Sequence, residues 1–308
     1  MIYTVTLNPS VDYYMKTDKT VFSDVNRISE YHFVAAGKGI NCSKILDVLS
    51  IPSYAVYFSG GRTGDFINQE LKNYSSLKAL PIEVDGLTRV NVKIYGSVDN
   101  AFNPLGPVIN EEAKEELKDL LAKNIRKDDV VIISGSLPRG CDIEYLKSLC
   151  RIVNDAKAKV VIDVPGLRLE DYRLMNVRLI KPNTDELKYI IGNEISDDDY
   201  EKHLDTILNE GVESVLLSLG SQGAIYKDKQ KEYKVSIPSV EVIKSIGAGD
   251  AMLGTFAGIL VQTDDIEQSL RMAAAAAVAT VSCEGIPDRE MIHDLAERII
   301  IIKVREEW

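Results

Sequence analysis

Lys244-Ser245-Ile246-Gly247-Ala248-Gly249-Asp250 runs directly into Ala251-Met252-Leu253-Gly254-Thr255-Phe256-Ala257-Gly258-Ile259-Leu260. Glycines at 247 and 249 free the backbone to turn sharply, and the apolar run after them predicts a buried helix. The first turn of a helix has N–H groups without internal partners and the positive end of the helix dipole, a setting suited to phosphate or a developing anion. An Asp in that turn faces the same place as the free amides. One reading makes Asp250 a base that removes a hydroxyl proton, while the amides of Gly247, Ala248 and Gly249 steady a transferring phosphoryl group. The other makes Asp250 an ordinary acidic residue in the first turn of a helix that follows a glycine loop.

Outward from this stretch the pattern is regular. Upstream, helix Glu111–Lys123 leads to strand Val130–Ile133, helix Ile143–Ala156 and strands Val160–Val164 and Val177–Ile180. Helices near Asp185–Ile191 and Tyr200–Asn209 and strand Val215–Leu219 follow, then a hairpin over Gly223–Tyr226 and Glu232–Ile237. Short apolar strands alternating with helices predict a mostly parallel α/β sheet covered on both faces. Downstream, an Ala-rich helix over Ile266–Val281 and a last helix over Arg289–Val304 complete the chain. The alanines at 273–277, with Gly254 and Gly258, predict close helix packing. Toward the start, Ile2–Leu7 and Tyr54–Phe58 read as strands, and a helix is expected over about Gly64–Asn73. Tyr31–Ala35 and Arg89–Tyr95 read differently: Val90, Val92 and Ile94 alternate with Asn91, Lys93 and Tyr95, giving one dry face and one polar face. Parts of 11–35 and 88–99 therefore predict a small antiparallel sheet apart from the main one, either a lid over a single 308-residue domain or a surface hairpin.

Composition narrows the function classes. The chain is 45% hydrophobic and 27% charged, ordinary for a globular protein, and its formal charge is −11. Without clustered Lys and Arg, nucleic acid is not expected as a partner. Four cysteines (42, 141, 150, 283) form no C-x-x-C pair, and His32, His203 and His293 are scattered, so neither a zinc site nor a disulfide framework is expected. The longest apolar stretch, Met272 to Ala279, is too short to span a bilayer. With no basic leader at the N-terminus, a cytoplasmic protein with no membrane partner is expected.

Ligands of open α/β sheets bind beyond the carboxyl ends of the strands. Here those ends carry Ser134-Gly135-Ser136-Leu137-Pro138, Asp163, Lys181-Pro182-Asn183-Thr184-Asp185-Glu186 and Ser218-Leu219-Gly220-Ser221-Gln222-Gly223. There is no P-loop, and no G-x-G-x-x-G follows a strand, so the helix start and the Gly220–Gly223 turn must hold any phosphate. Asn183 and Glu186, three apart, suit an oxygen-ligand ion such as Mg²⁺ through water, or simply a capping box. In Ala36-Gly37-Lys38-Gly39-Ile40-Asn41 a Lys and an Asn sit in a glycine turn before a helix, and Asp12 and Arg89 add a carboxylate for sugar hydroxyls and a cation for phosphate.

With these residues laid out, the chain resembles the ribokinase-like (PfkB) family of carbohydrate kinases over nearly its whole length. Gly247-Ala248-Gly249-Asp250 matches the family's C-terminal signature and Gly37-Lys38-Gly39-Ile40-Asn41 its N-terminal one. Asn8-Pro9-Ser10-Val11-Asp12, Thr88-Arg89-Val90-Asn91-Val92-Lys93, Ser134–Pro138, Lys181-Pro182-Asn183-x-x-Glu186-Leu187 and Ser218-Leu219-Gly220-x-x-Gly223-Ala224 resemble the branch containing 1-phosphofructokinase and tagatose-6-phosphate kinase. The resemblance implies an α/β core with a β lid and an ATP- and Mg²⁺-dependent sugar-phosphate kinase. Fructose 1-phosphate is the expected acceptor and tagatose 6-phosphate the alternative.

By the same resemblance Asp250 is the base, and Gly247, Ala248 and Gly249 form the anion hole. Ser218, Leu219, Gly220, Ser221, Gly223 and Lys181 hold nucleotide, and Asn183, Glu186 and Asp163 serve Mg²⁺. Asp12, Gly37, Lys38, Asn41, Arg89 and Ser136 address the sugar phosphate. A homodimer through the lid would bring Arg27 to the neighbour's substrate. Lys244 and Ser245 depart from the family's usual Asp and Thr, Ala36 from Gly, and Val164-Pro165 from the usual residues after Asp163. A sugar-phosphate sensor that keeps the fold without catalysis is the reading from another class, and the intact Asp250 argues against it.

Overall fold

A computed structural model describes residues 1–17, 24–28, 30–96, 100–192, 200–244 and 246–306. Its frame is a ten-stranded sheet. Strands β1 (Ile2–Thr6), β4 (Ser53–Ser59), β5 (Leu77–Glu83), β8 (Val130–Ser134), β9 (Lys159–Asp163), β10 (Leu179–Ile180) and β11 (Ser214–Ser218) run parallel. Beyond β11 the antiparallel strands β12 (Ala224–Asp228), β13 (Lys231–Ser236) and β14 (Ile300–Glu306) extend the sheet, in the order β14-β13-β12-β11-β10-β9-β8-β1-β4-β5.

The alternation of side chains along each strand splits the core in two. On one face Tyr3, Val5, Val131 and Ile133 pack with helices α3 (Glu111–Asn124), α4 (Ile143–Asp155), α6 (Thr184–Ile191) and α7 (Tyr200–Asn209). On the other, Ile2, Val130 and Ile132 pack with α1 (Lys38–Val48), α8 (Ala248–Thr263), α9 (Ile266–Val281) and α10 (Arg289–Ala296). Helix α8 is apolar nearly all round because it lies between α1 and α9. A Cβ on Gly254 would stand 2.9 Å from Cys42 Cα, and one on Gly258 would stand 2.4 Å from a Leu46 methyl, so the two glycines set a close α1–α8 approach and face α1, not the alanines with which they were grouped. No helix among the described residues is long and apolar enough to cross a membrane.

The second sheet has the order β3-β2-β6-β7, formed by β2 (Ser10–Thr17), β3 (Glu30–Ala36), β6 (Arg89–Gly96) and β7 (Asn100–Phe102). It is mixed where an antiparallel sheet was expected: β2 and β6 leave the main body side by side and pair in parallel, Ser10 against Arg89 through Thr17 against Gly96. The expected lid stretches at 18–23, 29 and 97–99 lie outside the described residues. Helix α2 (Gly61–Glu70), continued by a single 3₁₀ turn to Asn73, supports this sheet through Ile67 and Leu71 against Val11 and Ala35.

Three other local readings change. The helix expected over Arg289–Val304 ends at Ala296, and Ile299-Ile300-Ile301-Ile302 turns into edge strand β14, because a run of β-branched residues fits a pleated surface better than a helix. Strand β5 was not among the strands expected; it holds Pro81 and is the opposite edge of the sheet, where a missing N–H costs no ladder bond. The short α5 (Leu169–Tyr172) also gave no periodic signal.

Gly254→Ala should lower the stability of the protein by roughly 1–3 kcal/mol, since the added methyl meets the α1 backbone and not a movable side-chain end. A chemical-denaturation midpoint equal to that of the unaltered protein would contradict this packing.

Candidate active site

The carboxyl ends of β1, β8, β9, β10 and β11 and the N-termini of α1 and α8 meet on one rim. Gly247 caps α8 with φ of 90°, a left-handed conformation that glycine adopts at little cost, and the chain then enters the helix so that Asp250 sits in its first turn. Opposite, Gly37 with φ of 136° starts α1 and places Lys38 and Asn41 on its first turn. The close approach of the two helices lets Asn41 Nδ2 donate to Asp250 Oδ2 at 2.7 Å, across 209 residues of sequence.

Around this contact gathers a charged cluster. Lys38 Nζ donates to Asp163 Oδ1 at 3.0 Å and lies 3.7 Å from Glu186 Oε1, and the buried Lys181 ammonium is 3.9 Å from Asp163 Oδ2. Lys181 also stands beside the α8 start: a Cβ on Gly249 would be 3.0 Å from its Nζ. Burial pushes the Asp250 carboxyl up to about 6, with Asp163 adding to the rise, while the Asn41 hydrogen bond, Lys38 and Lys181 oppose it. Burial alone would lower the Lys38 ammonium, yet Asp163, Glu186 and Asp250 together raise it above its ordinary value. The result is a carboxyl that titrates near neutrality beside two fixed cations and the unpaired amides of a helix start. Such a group accepts a proton where charge develops on a neighbouring anion.

A cavity of 570 Å³ opens next to the cluster, walled by Ala36, Asn41, Gly247 and Ala251 below and by Asp12, Tyr14, His32 and Tyr95 of the small sheet above. Of the polar face expected on β6, Tyr95 lines it, while Asn91 and Lys93 turn to Asp12. Asp12 is more engaged than sequence suggests. Its Oδ1 accepts from Ser10 Oγ and Asn91 Nδ2, each at 2.8 Å, and its Oδ2 accepts from Lys93 Nζ and, at 3.5 Å, from Tyr14 OH. Arg89 and Ser136 lie on a neighbouring part of the rim and meet at Asn8, whose carbonyl accepts from Arg89 Nη2 at 3.0 Å and whose amide donates to Ser136 Oγ at 3.1 Å. Burial of the Arg89 guanidinium lowers its ordinary value, with Asp12 partly offsetting this, and its Nε is buried without a protein partner.

Asn183 and Glu186 form the capping box of α6: Asn183 Oδ1 accepts from the Glu186 N–H at 2.8 Å and Glu186 Oε2 from the Asn183 N–H at 2.9 Å. Asn183 Oδ1 is thus engaged in the cap, and Glu186 Oε1 and the buried Asp163 Oδ2, which has no hydrogen-bond partner, are further oxygens beside it for a hydrated cation. No three ligating side chains among the described residues enclose a metal directly. An all-oxygen set of two carboxylates fits Mg²⁺, which keeps much of its water shell.

Ser218 bonds back to Pro182 O, and Gly220–Gln222 forms one 3₁₀ turn. Gly220 faces open space, and Gly223 (φ 94°) lies so close to β13 that a Cβ would be 1.9 Å from Val235 O. Leu219 and Ser221 complete this turn on the rim. Arg27 is exposed in the irregular 24–28 stretch, and nothing places it at the cluster of its own chain. Ser245 lies outside the described residues, while Lys244 donates to Gly285 O and lines the cavity.

Sequence reasoning missed Lys44, Lys93, Tyr14, Ile246 and Ile286 as cavity or network residues. Only the alternation on β6 hinted at Lys93. The others face the cavity because of how separate elements pack.

In a ¹³C carboxylate titration, Asp250 should have a midpoint near 6, and Asn41→Leu should raise it by removing a bond that favours the ionised form. The folded value exceeds that of an unfolded Asp. The stability this group contributes is therefore complete at low pH and is lost as pH rises through about 6, a slope that Asp250→Asn should abolish.

A family model described as pfkB family carbohydrate kinase matches residues 5–289. A D-tagatose-1-phosphate kinase of Bacillus licheniformis is 34% identical over 303 residues, covering 98% of this chain and 99% of that protein. A 1-phosphofructokinase of Bacillus subtilis is 29% identical over 307 residues, covering 99% and 100%. Phosphofructokinase-2 from Escherichia coli, solved in complex with fructose-6-phosphate, superposes with a TM-score of 0.89 at 27% identity over 96% of this chain and 98% of that one. The glycine-Asp helix start, the sheet rim and the small sheet above it agree with these matches: the chain belongs to the pfkB family of carbohydrate kinases, and its activity is phosphotransfer to a sugar.

Proposed function

We propose that the protein transfers the γ-phosphoryl group of ATP to the 6-hydroxyl of D-fructose 1-phosphate, giving fructose 1,6-bisphosphate. The observation that carries this reading is Asp250, with its pKa near 6, held by Asn41 at the free amides of α8 and beside a cavity roofed by the small sheet. Ionised at neutral pH, Asp250 takes the proton of the acceptor hydroxyl as that oxygen bonds to phosphorus and the bond to ADP breaks. The amides of Gly247, Ala248 and Gly249, with Lys38 and Lys181, face the negative charge on the phosphoryl oxygens. Ser218, Leu219, Gly220, Ser221 and Gly223 frame the nucleotide. Asp12, Gly37, Asn41, Arg89 and Ser136 address the acceptor, Arg89 through the donor it keeps unpaired. Glu186 and Asp163 would hold Mg²⁺ through water, which supplies neutralising charge to the phosphates.

Two named relatives act on ketohexose 1-phosphates, which supports a 1-phosphate acceptor with a free 6-hydroxyl. Residues 1–308 form one ribokinase-like domain in this reading, with the small sheet as its lid. The outer lid face shows Tyr31 and Phe33, 60% and 47% exposed, the first edge-on to Tyr13 and the second stacked on it, and it suits pairing with a second copy that brings Arg27 to the neighbour's site.

Asp250→Asn should keep the fold and ATP binding and lower turnover by roughly 10²–10⁴-fold; turnover close to that of the unaltered enzyme would remove the base assignment. A panel of fructose 1-phosphate, tagatose 1-phosphate, fructose 6-phosphate and tagatose 6-phosphate should rank fructose 1-phosphate first by kcat/KM. ADP release with none of them, despite ligand-dependent melting shifts, would make the protein a sensor. Sedimentation should give a dimer that Phe33→Glu splits; a monomer at all concentrations excludes lid pairing.

A further inference from the structure

We propose that Lys44 and Glu70 act as positioning residues for the acceptor, by clamping the one joint through which the lid enters helix α1. Strand β3 ends at Ala36, and after Gly37 the chain is already in α1, which carries Lys38 and Asn41. Any shift of β3 is therefore passed to the residues that hold Asp163 and Asp250.

Among the described residues β3 is an edge strand, so at alternate residues its main-chain groups have no neighbouring strand there. At Ala35 both groups are met by side chains instead. The N–H donates to Glu70 Oε2 at 2.6 Å, the carbonyl accepts from Lys44 Nζ at 2.7 Å, and Lys44 bonds Glu70 Oε1 at 2.7 Å, which closes the ring. The clamp thus joins the lid, the first helix and the end of α2.

The arrangement is built at a cost. The Lys44 side chain is 4% exposed, and burial lowers its ammonium below the ordinary value, with Glu70 and then Asp12 opposing this. A pair of apolar side chains would avoid that desolvation but would leave both groups of Ala35 unsatisfied. Lys44 also lies one turn beyond Asn41 on α1 and lines the same cavity, next to which Ala36 forms part of the floor. The clamp therefore acts on the height and tilt of the lid above the acceptor, and not on the nucleotide turn at Gly220.

The proposal rests on the acceptor binding beneath the lid, so Asp12→Asn is measured alongside. The test is the double variant Lys44→Met/Glu70→Met, which removes both charges together and strands neither. It should fold, exchange the amides of residues 30–37 faster with deuterium, and raise the KM for fructose 1-phosphate by roughly tenfold or more while the KM for ATP stays within about twofold. Glu70→Gln, which keeps an acceptor for the Ala35 N–H, should recover most of the acceptor KM. If Asp12→Asn raises the acceptor KM but the double variant does not, or if the double variant alters only the active fraction, the clamp is structural and the proposal fails. An acceptor KM insensitive to Asp12→Asn overturns the binding site beneath the lid, and the clamp with it.

Discussion

Helices α1 and α8 touch backbone to backbone, and the candidate site exists because they do. Gly254 and Gly258 remove the side chains that would hold the helices apart, and Cys42, Leu46 and Ile51 occupy the space so released. At the end of that contact Asn41 reaches Asp250, and Cys42 Sγ donates to the Asp250 carbonyl at 3.2 Å. Wider spacing would leave a buried carboxyl without its amide partner, and a free amide at the helix start without an adjacent base. The packing of the core and the chemistry of the rim are thus one constraint.

Charge balance on the rim follows from burial. Asp163, Glu186 and Asp250 share two lysines, so at neutral pH the protein groups alone leave an excess of negative charge with an unpartnered oxygen on Asp163. Excess negative charge of this kind favours a cation beside it, as the free amides of α8 favour an anion. The overall charge of −11 adds to this, so an anionic ligand would have to be held by the local lysines and helix dipoles against the protein's field.

Much of the frame was legible in advance. Apart from the short α5, the strand and helix order from β8 to α9 was readable because buried parallel strands are short apolar runs and the helices between them carry a 3.6-residue stripe. Tyr200–Asn209 and Ile266–Val281 have the same bounds in the structure as in the sequence reading. The misreadings have local causes. The stretch around Pro81 drew no strand expectation, although β5 pairs there as a sheet edge, and Arg289–Val304 looks continuous until β13 offers Ile300–Glu306 an edge to pair with. Asn183 and Glu186 carried two readings from the start, a cap and an ion site, and their spacing is the same for both. Their hydrogen bonds show that the cap is made.

The sequence by itself determined the α/β class, the order of most elements and the clustering of glycines, lysines and carboxylates at strand ends, since each is written in composition and period over a few residues. Its motifs, compared with known proteins, also determined the family. Tertiary structure decided which of those residues meet: Asn41 with Asp250, Lys38 with Asp163 and Glu186, Lys93 with Asp12, and Lys44 and Glu70 around Ala35. It also decided that the small sheet is mixed and roofs a cavity. Such pairings depend on the distance between elements far apart in the chain, and so does the burial that moves Asp250 toward neutrality. Neither quantity is a property of any local stretch of residues.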